Sequence, residues 1–381
     1  MDYQKPFNIF TKTMAGNFIR VCEPSVTKRE INSVLSALKQ NKISSRTDIV
    51  EGFEGEFAKK IGTKYAVAVN SGSSALFLAM WAMGIREGDE VIIPAYSFIA
   101  CANSVLQCGA KPNLVDVVWN DCNINVEKIS EKINRRTKAI MPVHTYGIPC
   151  EMRKIRVIAK KYNLKIIEDC SEAHGAKFDG EMVGSIGDCG CFSLYANKII
   201  TTGEGGIITT NNKELANEIR KLKDFYFIGN KGYKHKKLAW NMNLGSLNAA
   251  LGLSQIERWN ELIEKRKKTA TYYSNNLEGC EETFTGQGMN GSVCWTYFIK
   301  TDKRDALADY LLRRGIETKM AFTPIHRQGF IKDNGRYPVA EKLEEQGLCL
   351  PTGPNISEKQ AKTIIEEITL LLQSYGTIRS N

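Results

Sequence analysis

The composition of this 381-residue chain, 43% hydrophobic and 25% charged, is typical of a globular protein with a large apolar core. Its formal charge of +10 would suit a nucleic-acid binder, but the lysines and arginines are dispersed and alternate with apolar positions, as on solvated helix faces. Since there is no apolar run near the roughly 20 residues of a membrane span, and no signal-peptide pattern in MDYQKPFNIF, we expect a cytoplasmic protein that binds neither nucleic acid nor membrane.

The first two thirds of the chain alternate between helical and strand-like segments. Two helical segments, VTKREINSVLSALKQNK and VEGFEGEFAKKIG, precede seven apolar runs of strand length. The runs are YAVAVN at 65–70, EVIIPA at 90–95, PNLVDV at 112–117, AIMPVH at 139–144, LKIIEDC at 164–170, GCFSLYA at 190–196 and GGIITT at 205–210. This pattern predicts an α/β fold with a seven-stranded, mainly parallel sheet covered on both faces. In such sheets, ligands bind at the carboxyl ends of the strands.

The pattern changes near residue 250. The segment LGLSQIERWNELIEKRKKTATYYSNNL predicts one long helix, and YFIKTDKRDALADYLLRRG and the helical SEKQAKTIIEEITLLLQSY follow it. We therefore expect a large domain at 1–250, which includes the helical N-terminal segment, and a smaller α+β domain at 251–381.

The cysteines and the one dense basic run carry weak signals. The eleven cysteines form no CxxC pair, and the lone CxC of Cys189 and Cys191 is better explained by buried, reduced thiols than by a metal site. The basic run KGYKHKK at 231–237 fits a solvated loop and a site for a phosphate-bearing ligand equally well.

Polar residues follow the first and fifth strands at the expected ligand edge. Gly72 and Ser73 open a helix, where free backbone N–H groups and hydroxyls can hold an anion. Asp169 ends the fifth strand, where a carboxylate must be paired or solvated because burying it bare is costly. Taken separately, each feature is equally typical of an ordinary capping residue.

Lys198 lies between the apolar run CFSLYAN and the glycine-rich turn TTGEGG. A lysine shielded from water has a lowered pKa and becomes nucleophilic toward aldehydes. Ser193 offers a hydroxyl nearby, and the glycines let the backbone approach a planar ligand. Alone, Lys198 is better explained as a side chain that reaches from a strand end into solvent.

Together, these residues match the three functional groups of pyridoxal 5′-phosphate (PLP). The anion site suits the phosphate, the carboxylate suits a protonated pyridine nitrogen, and the lysine suits the aldehyde. The carboxylate would keep the ring protonated so that it withdraws electrons, while the lysine would hold the cofactor as a Schiff base and transfer the proton. The combination predicts a PLP-dependent enzyme.

Nearly the whole chain resembles the sugar aminotransferases of the DegT/DnrJ/EryC1/StrS family, which have the aspartate aminotransferase fold (fold type I). The similar segments, in the family's order, are NSGSSAL, PAYSFIACANSV, PNLVDV, TKAIMPVHTYG, IIEDCSEAHGA and CFSLYANKIITTGEGG. The resemblance implies PLP as cofactor and a homodimer with its active sites at the subunit interface.

The resemblance also implies roles for single residues. Lys198 matches the family's Schiff-base lysine, and Asp169 matches the residue that pairs with the pyridine nitrogen. The other implied cofactor contacts are Gly72, Ser73 and Ser193 for the phosphate, Phe98 for stacking on the ring, and Asn241 for the phosphate of the neighbouring subunit. The basic run matches a loop near the sugar nucleotide, which favours its function as an anion site and makes Tyr233, His235 and Lys236 candidate substrate contacts.

The chain departs from the family's usual residues at three positions. Glu172 stands where many relatives have glutamine or histidine beside the cofactor's 3-hydroxyl. An ionised carboxylate there would repel the phenolate, so Glu172 is either protonated or directed elsewhere. Asn243 replaces an arginine and Thr47 replaces a common glycine, which alters local contacts and leaves the chemistry unchanged.

Three histidines match family positions as well. For His144 and His174 we expect structural packing, since an isolated histidine needs partners to act. His326, in TPIHRQGF, lies where relatives approach the substrate, so that packing and substrate binding remain equally good explanations.

The resemblance implies transfer of an amino group from L-glutamate to the ketone of a nucleotide-linked sugar. Glu172 and its E-D-x-x-E pattern are similar to enzymes that aminate C4 of 4-keto-6-deoxyhexoses, such as perosamine and viosamine synthases. Enzymes that aminate C3 share most of these residues and form the alternative. A PLP-dependent sugar dehydratase is disfavoured because such relatives have histidine in place of Lys198. A non-catalytic protein is disfavoured because every residue needed to hold the cofactor is present.

Overall fold

The computed structural model describes residues 18–228, 233–277 and 291–375, and within these ranges the strands form three sheets. The strands are β1 (Tyr65–Val69), β2 (Glu90–Pro94), β3 (Lys111–Val115), β4 (Thr137–Ile140), β5 (Lys165–Asp169), β6 (Lys177–Phe178), β7 (Glu181–Met182), β8 (Cys189–Ser193), β9 (Gly206–Thr210), β10 (Tyr297–Lys300), β11 (Lys319–Met320) and β12 (Gly347–Leu350). Each of the seven predicted apolar runs overlaps one strand of the largest sheet, which confirms the predicted α/β fold. The β4 strand begins two residues before its predicted run and ends at Ile140.

The largest sheet has the order β1-β9-β8-β5-β4-β2-β3. The β9 strand runs opposite to the other six strands, and the pairs β8–β5, β5–β4, β4–β2 and β2–β3 are parallel. Asp169 at the end of β5 pairs with Cys191 of β8, so the carboxyl ends of these strands meet at one edge. The carboxyl end of β1 lies at the same edge, beside the start of β9. The topology therefore gathers the predicted ligand residues.

Helices cover the sheet on both faces. They are α1 (Lys28–Lys39), α2 (Asp48–Ile61), α3 (Gly72–Ala82), α4 (Ala100–Gln107), α5 (Ile129–Lys132), α6 (Met152–Tyr162), α7 (Lys213–Leu222), α8 (Ser246–Glu257), α9 (Trp259–Asn276), α10 (Arg304–Arg313), α11 (Pro338–Gln346) and α12 (Glu358–Ser374). Residues of α3 such as Ala75 and Leu78 are fully buried in one apolar cluster, whereas Phe53 and Phe57 of α2 belong to the cluster on the other face. No helix of the described ranges is long and apolar enough to cross a membrane.

The predicted long helix after residue 250 was wrong in one respect. The chain forms α8 and α9, and the backbone leaves helical values at Arg258 between them (φ −96°, ψ 11°). The Arg258 guanidinium is buried and donates to Glu30 Oε1 at 2.7 Å and to Ser25 Oγ at 2.9 Å. Apolar periodicity cannot show such an anchor, because its partners lie far away in the sequence.

A second core surrounds the small sheet β10-β12-β11, whose pairs are antiparallel. It contains residues of α9, α10 and α12, together with Ile19 from the N-terminal part of the chain. Ile19 donates its backbone N–H to Gly315 O at 2.8 Å. The division into domains at residue 250 stays a prediction.

The 3₁₀ turn Thr145–Gly147 borders the predicted site and has a strained backbone, with φ of 55° at Tyr146 and 91° at Gly147. A Cβ atom on Gly147 would lie 2.1 Å from Val293 O. We expect Gly147→Ala to reduce the free energy of unfolding by about 3 kcal/mol or more, because backbone strain and a backbone clash add together. Gly62→Ala is the matched control, since Gly62 has φ of 84° and open space around it. It should cost only about 1 to 2 kcal/mol. Equal costs in denaturant titrations would contradict this explanation.

Candidate active site

A cavity of about 520 Å³ opens at the carboxyl edge of the large sheet. Seven of the predicted cofactor contacts line it: Gly72, Ser73, Phe98, Asp169, Glu172, Ser193 and Lys198. A more open cleft of about 610 Å³ lies near Ser25 and Arg258, but that arginine is already bonded to Glu30. The first cavity is the candidate active site because nucleophilic, acidic and anion-binding groups converge there.

The N-terminus of α3 forms one wall of this cavity. Ser71 caps the helix by accepting the N–H of Ser74 at 3.1 Å, which aims the first turn at the cavity. Gly72 is packed so closely on β8 that a Cβ atom there would lie 2.7 Å from Ser193 Cβ and 3.2 Å from Ser193 Oγ. This contact brings the Ser193 hydroxyl next to the free N–H groups of the helix, which together suit an anion.

Asp169 lies on the floor of the cavity and is only 6% exposed. Its Oδ1 atom accepts the N–H of Ser171 at 3.0 Å. Within the described ranges its carboxylate has no ion pair closer than 4.0 Å, although burying an unpaired charge is costly. A protonated ring nitrogen bound in the cavity would supply the missing cation.

Lys198 does not extend into solvent, since its side chain is only 12% exposed. Its Nζ atom lies 3.8 Å from Glu172 Oε1 and 4.0 Å from the ring centroid of Trp295. Desolvation lowers the pKa of Lys198, while the charges of Glu172 and Asp169 oppose that effect. The residue therefore combines a shielded amine with access to the cavity, as a nucleophile toward an aldehyde requires.

Glu172 is buried directly beside this lysine, with its side chain 5% exposed. Its Oε2 atom accepts the backbone N–H of Tyr146 at 2.8 Å. Desolvation raises the pKa of Glu172 to about 7, against the opposing charge of Lys198. The carboxyl group therefore titrates near neutral pH and faces the amine.

Aromatic and basic side chains that sequence patterns did not single out complete the cavity. They are Trp295, Phe322 and Lys319, all from the C-terminal part of the chain. The Phe98 ring is 60% exposed and contacts Phe322 edge-on at 6.2 Å, which leaves a flat surface free for stacking. No local motif marks these three residues, because only the packing of the small sheet against the large one brings them here.

Five predicted contacts do not line the cavity of this chain: Asn241, Tyr233, His235, Lys236 and His326. The exposed Asn241 accepts a hydrogen bond from Asn243 Nδ2 at 3.2 Å, and the His235 ring packs on Phe227 at 4.8 Å. The Tyr233 side chain is 90% exposed. Asn241 is predicted to serve a neighbouring subunit, and Tyr233, His235 and Lys236 are predicted to lie near the sugar nucleotide; these roles stay predictions. Residues 231 and 232 of the basic run lie outside the described ranges.

His326 lies outside the cavity and contacts other residues. Its Nε2 atom lies 2.9 Å from Glu341 Oε1, and its ring contacts Tyr337 at 4.8 Å. These contacts favour packing over the substrate contact that was the equal alternative.

His144 and His174 are both buried. His144 Nδ1 accepts the N–H of Cys150 at 3.0 Å, so its Nε2 carries the proton toward Glu168 at 3.2 Å. Glu168 also accepts backbone N–H groups, which leaves little room for a metal ion between His144, Glu168 and Cys170. The His174 ring lies among aromatic side chains, and desolvation lowers its pKa to about 3.

Comparisons with known proteins agree with this geometry. Residues 24–369 match the DegT/DnrJ/EryC1/StrS aminotransferase family. GDP-perosamine synthase of Escherichia coli O157:H7 is 36% identical, covering 92% of this chain and 98% of that protein. The dTDP-3-amino-3,6-dideoxy-alpha-D-galactopyranose transaminase of Aneurinibacillus thermoaerophilus is 36% identical, covering 84% of this chain and 89% of that protein. Spr1654 of Streptococcus pneumoniae in its PLP form is 25% identical with a TM-score of 0.88, covering 95% of this chain and all of that one. The chain therefore belongs to the DegT/DnrJ/EryC1/StrS family and is an aminotransferase.

Proposed function

We propose that this aminotransferase binds PLP in the cavity and transfers an amino group from L-glutamate to a nucleotide-linked 4-keto-6-deoxyhexose. The product would be a 4-amino-4,6-dideoxy sugar nucleotide. The observation that carries the proposal is the convergence of Lys198, Asp169 and the Gly72–Ser73 turn in one cavity. Its volume of about 520 Å³ lies within the range of small-molecule and cofactor sites.

The residues present fit PLP. The α3 N-terminus and Ser193 would hold the phosphate, and the unpaired, buried Asp169 would hold the proton on the ring nitrogen. When bound, the cofactor supplies an electron sink for the carbon that loses or gains a proton. Lys198 would anchor it and then move that proton, because its amine lies inside the cavity and is shielded from water.

The proposal for C4 rests on the residues around Glu172, which resemble those of perosamine and viosamine synthases. The similarity to GDP-perosamine synthase extends over 92% of the chain, which supports the same position. Amination at C3 is the alternative, because a 3-amino sugar transaminase is equally identical over a shorter part of the chain.

A second copy of the chain would complete the site in this proposal. Asn241 and the exposed Tyr233 would reach the neighbouring cavity, together with His235 and Lys236. All four residues are exposed in the single chain. Such exposure is required of residues that contact a second copy, because a side chain buried within its own chain could not reach it. Basic side chains there would face the diphosphate of the sugar nucleotide.

The proposal is tested by the visible absorption spectrum of the PLP-loaded protein before and after addition of L-glutamate. We expect a band from the Lys198-bound cofactor that bleaches with the donor and returns with a 4-keto sugar nucleotide. Recovery only with a 3-keto sugar nucleotide would establish the alternative position. A band that ignores L-glutamate would refute the donor, and the absence of any band would refute the function.

Lys319 is the candidate contact for the donor's carboxylate. It is exposed on the cavity wall, and it has no ion pair within the part of the chain that the structure describes. We expect Lys319→Met to raise KM for L-glutamate about tenfold to a hundredfold with little change in kcat, because one charge-assisted contact is lost. Lys319→Arg should largely restore binding. Calorimetry with glutarate provides a second measurement, and unchanged affinity in Lys319→Met would contradict the assignment.

A further inference from the structure

Glu172 and Lys198 form an acid–base pair whose two side chains are both buried. Their side chains are 5% and 12% exposed, and Nζ and Oε1 lie 3.8 Å apart. The Trp295 ring covers the ammonium group at 4.0 Å and is itself held by a hydrogen bond from its Nε1 to Asn197 O at 2.9 Å. Water has little access to either charge, so each group depends on the other for its ionised form.

The Glu172 carboxyl group is positioned by a hydrogen bond from a strained backbone segment. Tyr146 has φ of 55°, which directs its N–H to Glu172 Oε2 at 2.8 Å. The Tyr146 hydroxyl lies 2.6 Å from that of Tyr96, and its ring stacks on Phe298 at 4.6 Å. Such strain persists only where the surrounding structure enforces it, and it is common at functional sites.

Other ionisable groups act on the pair from several elements. On Lys198 they are Asp169 of β5, Lys319 of β11 and Cys22, which precedes α1. On Glu172, Asp169 acts from β5. The charge of Glu172 in turn raises the pKa of the buried Cys122 and Cys349 thiols, which desolvation already raises. The buried His174 lies near Lys198 and is neutral at neutral pH because its pKa is about 3. Glu172 is the carboxylate that pairs directly with the amine.

We propose that Glu172 is the proton-holding partner of Lys198, so that the pair shares one proton at the cavity wall. When Glu172 is ionised, Lys198 is an ammonium group. When the proton moves from Nζ to Oε1, the amine becomes free and the carboxyl group neutral, with no change in the total charge or proton count. Glu172 therefore stores the proton while Lys198 acts as a nucleophile, and returns it afterwards. This role rests on the proposed function, in which Lys198 alternates between these forms.

The pair can be tested on the cofactor-free full chain by reductive methylation with formaldehyde and a borane reductant. Only the free amine reacts, so the Lys198 labelling rate across a pH series, measured by peptide mass mapping, reports its proton. In Glu172→Gln the amide can still accept the Tyr146 N–H, but the negative charge is lost. We expect the labelling midpoint of Lys198 to fall by roughly one pH unit or more, because an unpaired buried ammonium group loses its proton more readily.

Glu204→Gln is the matched control, because Glu204 is an exposed carboxylate on the same cavity wall. Its midpoint should equal that of the unmodified protein. Equal midpoints in Glu172→Gln and the unmodified protein would overturn the proposal, and so would an equal fall in Glu204→Gln. The PLP-loaded protein provides a second measurement, since the pH at which its visible band changes should shift in Glu172→Gln alone. The labelling needs neither donor nor sugar, so failure of the proposed function would leave its outcome unaffected.

Discussion

Lys198→Ala is expected to reduce the rate of amino transfer by about 10⁴-fold, because one side chain both anchors the cofactor and moves the proton. The shielded position of its amine beside Glu172, with 12% of the side chain exposed, supports both roles. The variant should lose the band of the covalently bound cofactor. Stopped-flow absorption during reaction with L-glutamate measures the residual rate.

A matched control separates this loss from the general effect of removing a buried lysine. Lys223 is also largely buried, and its Nζ atom lies 3.4 Å from Glu54 Oε1, outside the cavity. Lys223→Ala should reduce stability and retain the cofactor band and the reaction rate. A Lys198→Ala variant that still forms the covalent band would place the anchor on another amine.

Asp169→Asn is expected to reduce the rate by about 10²- to 10³-fold, because an amide cannot stabilise the protonated ring nitrogen as a carboxylate does. The substitution is nearly isosteric, and its side-chain oxygen can still accept the N–H of Ser171. We therefore expect little loss of folding stability. The measured quantities are the single-turnover rate with L-glutamate and the midpoint of urea unfolding.

Asp116→Asn provides the comparison for this second prediction. Asp116 is another buried carboxylate, but its Oδ1 atom accepts the N–H of Ala340 in α11 at 3.1 Å, and it does not line the cavity. Its replacement should reduce stability and leave the single-turnover rate nearly unchanged. Equal rates for Asp169→Asn and the unmodified protein would show that the ring nitrogen has another partner.

The large sheet could be predicted because its signal is local. Each buried strand of an α/β fold is a short apolar run with polar residues after it, and each of the seven runs overlaps a strand. Gly72, Asp169 and Lys198 follow strand ends, and the sheet topology brings such residues together at one edge. The break at Arg258 was missed because its side chain is anchored to residues before α1 and within it.

The sequence by itself determined the order of strands and helices, the residues that follow the strand ends and the resemblance to the family. These features depend on apolar periodicity and short motifs, which are properties of neighbouring residues. Only the tertiary structure decided that Glu172 faces Lys198, that the strained Tyr146 holds it, and that Trp295 and Lys319 complete the cavity. Those contacts join segments far apart in the chain, and their distances and burial, which set the pKa values, arise only when the elements pack.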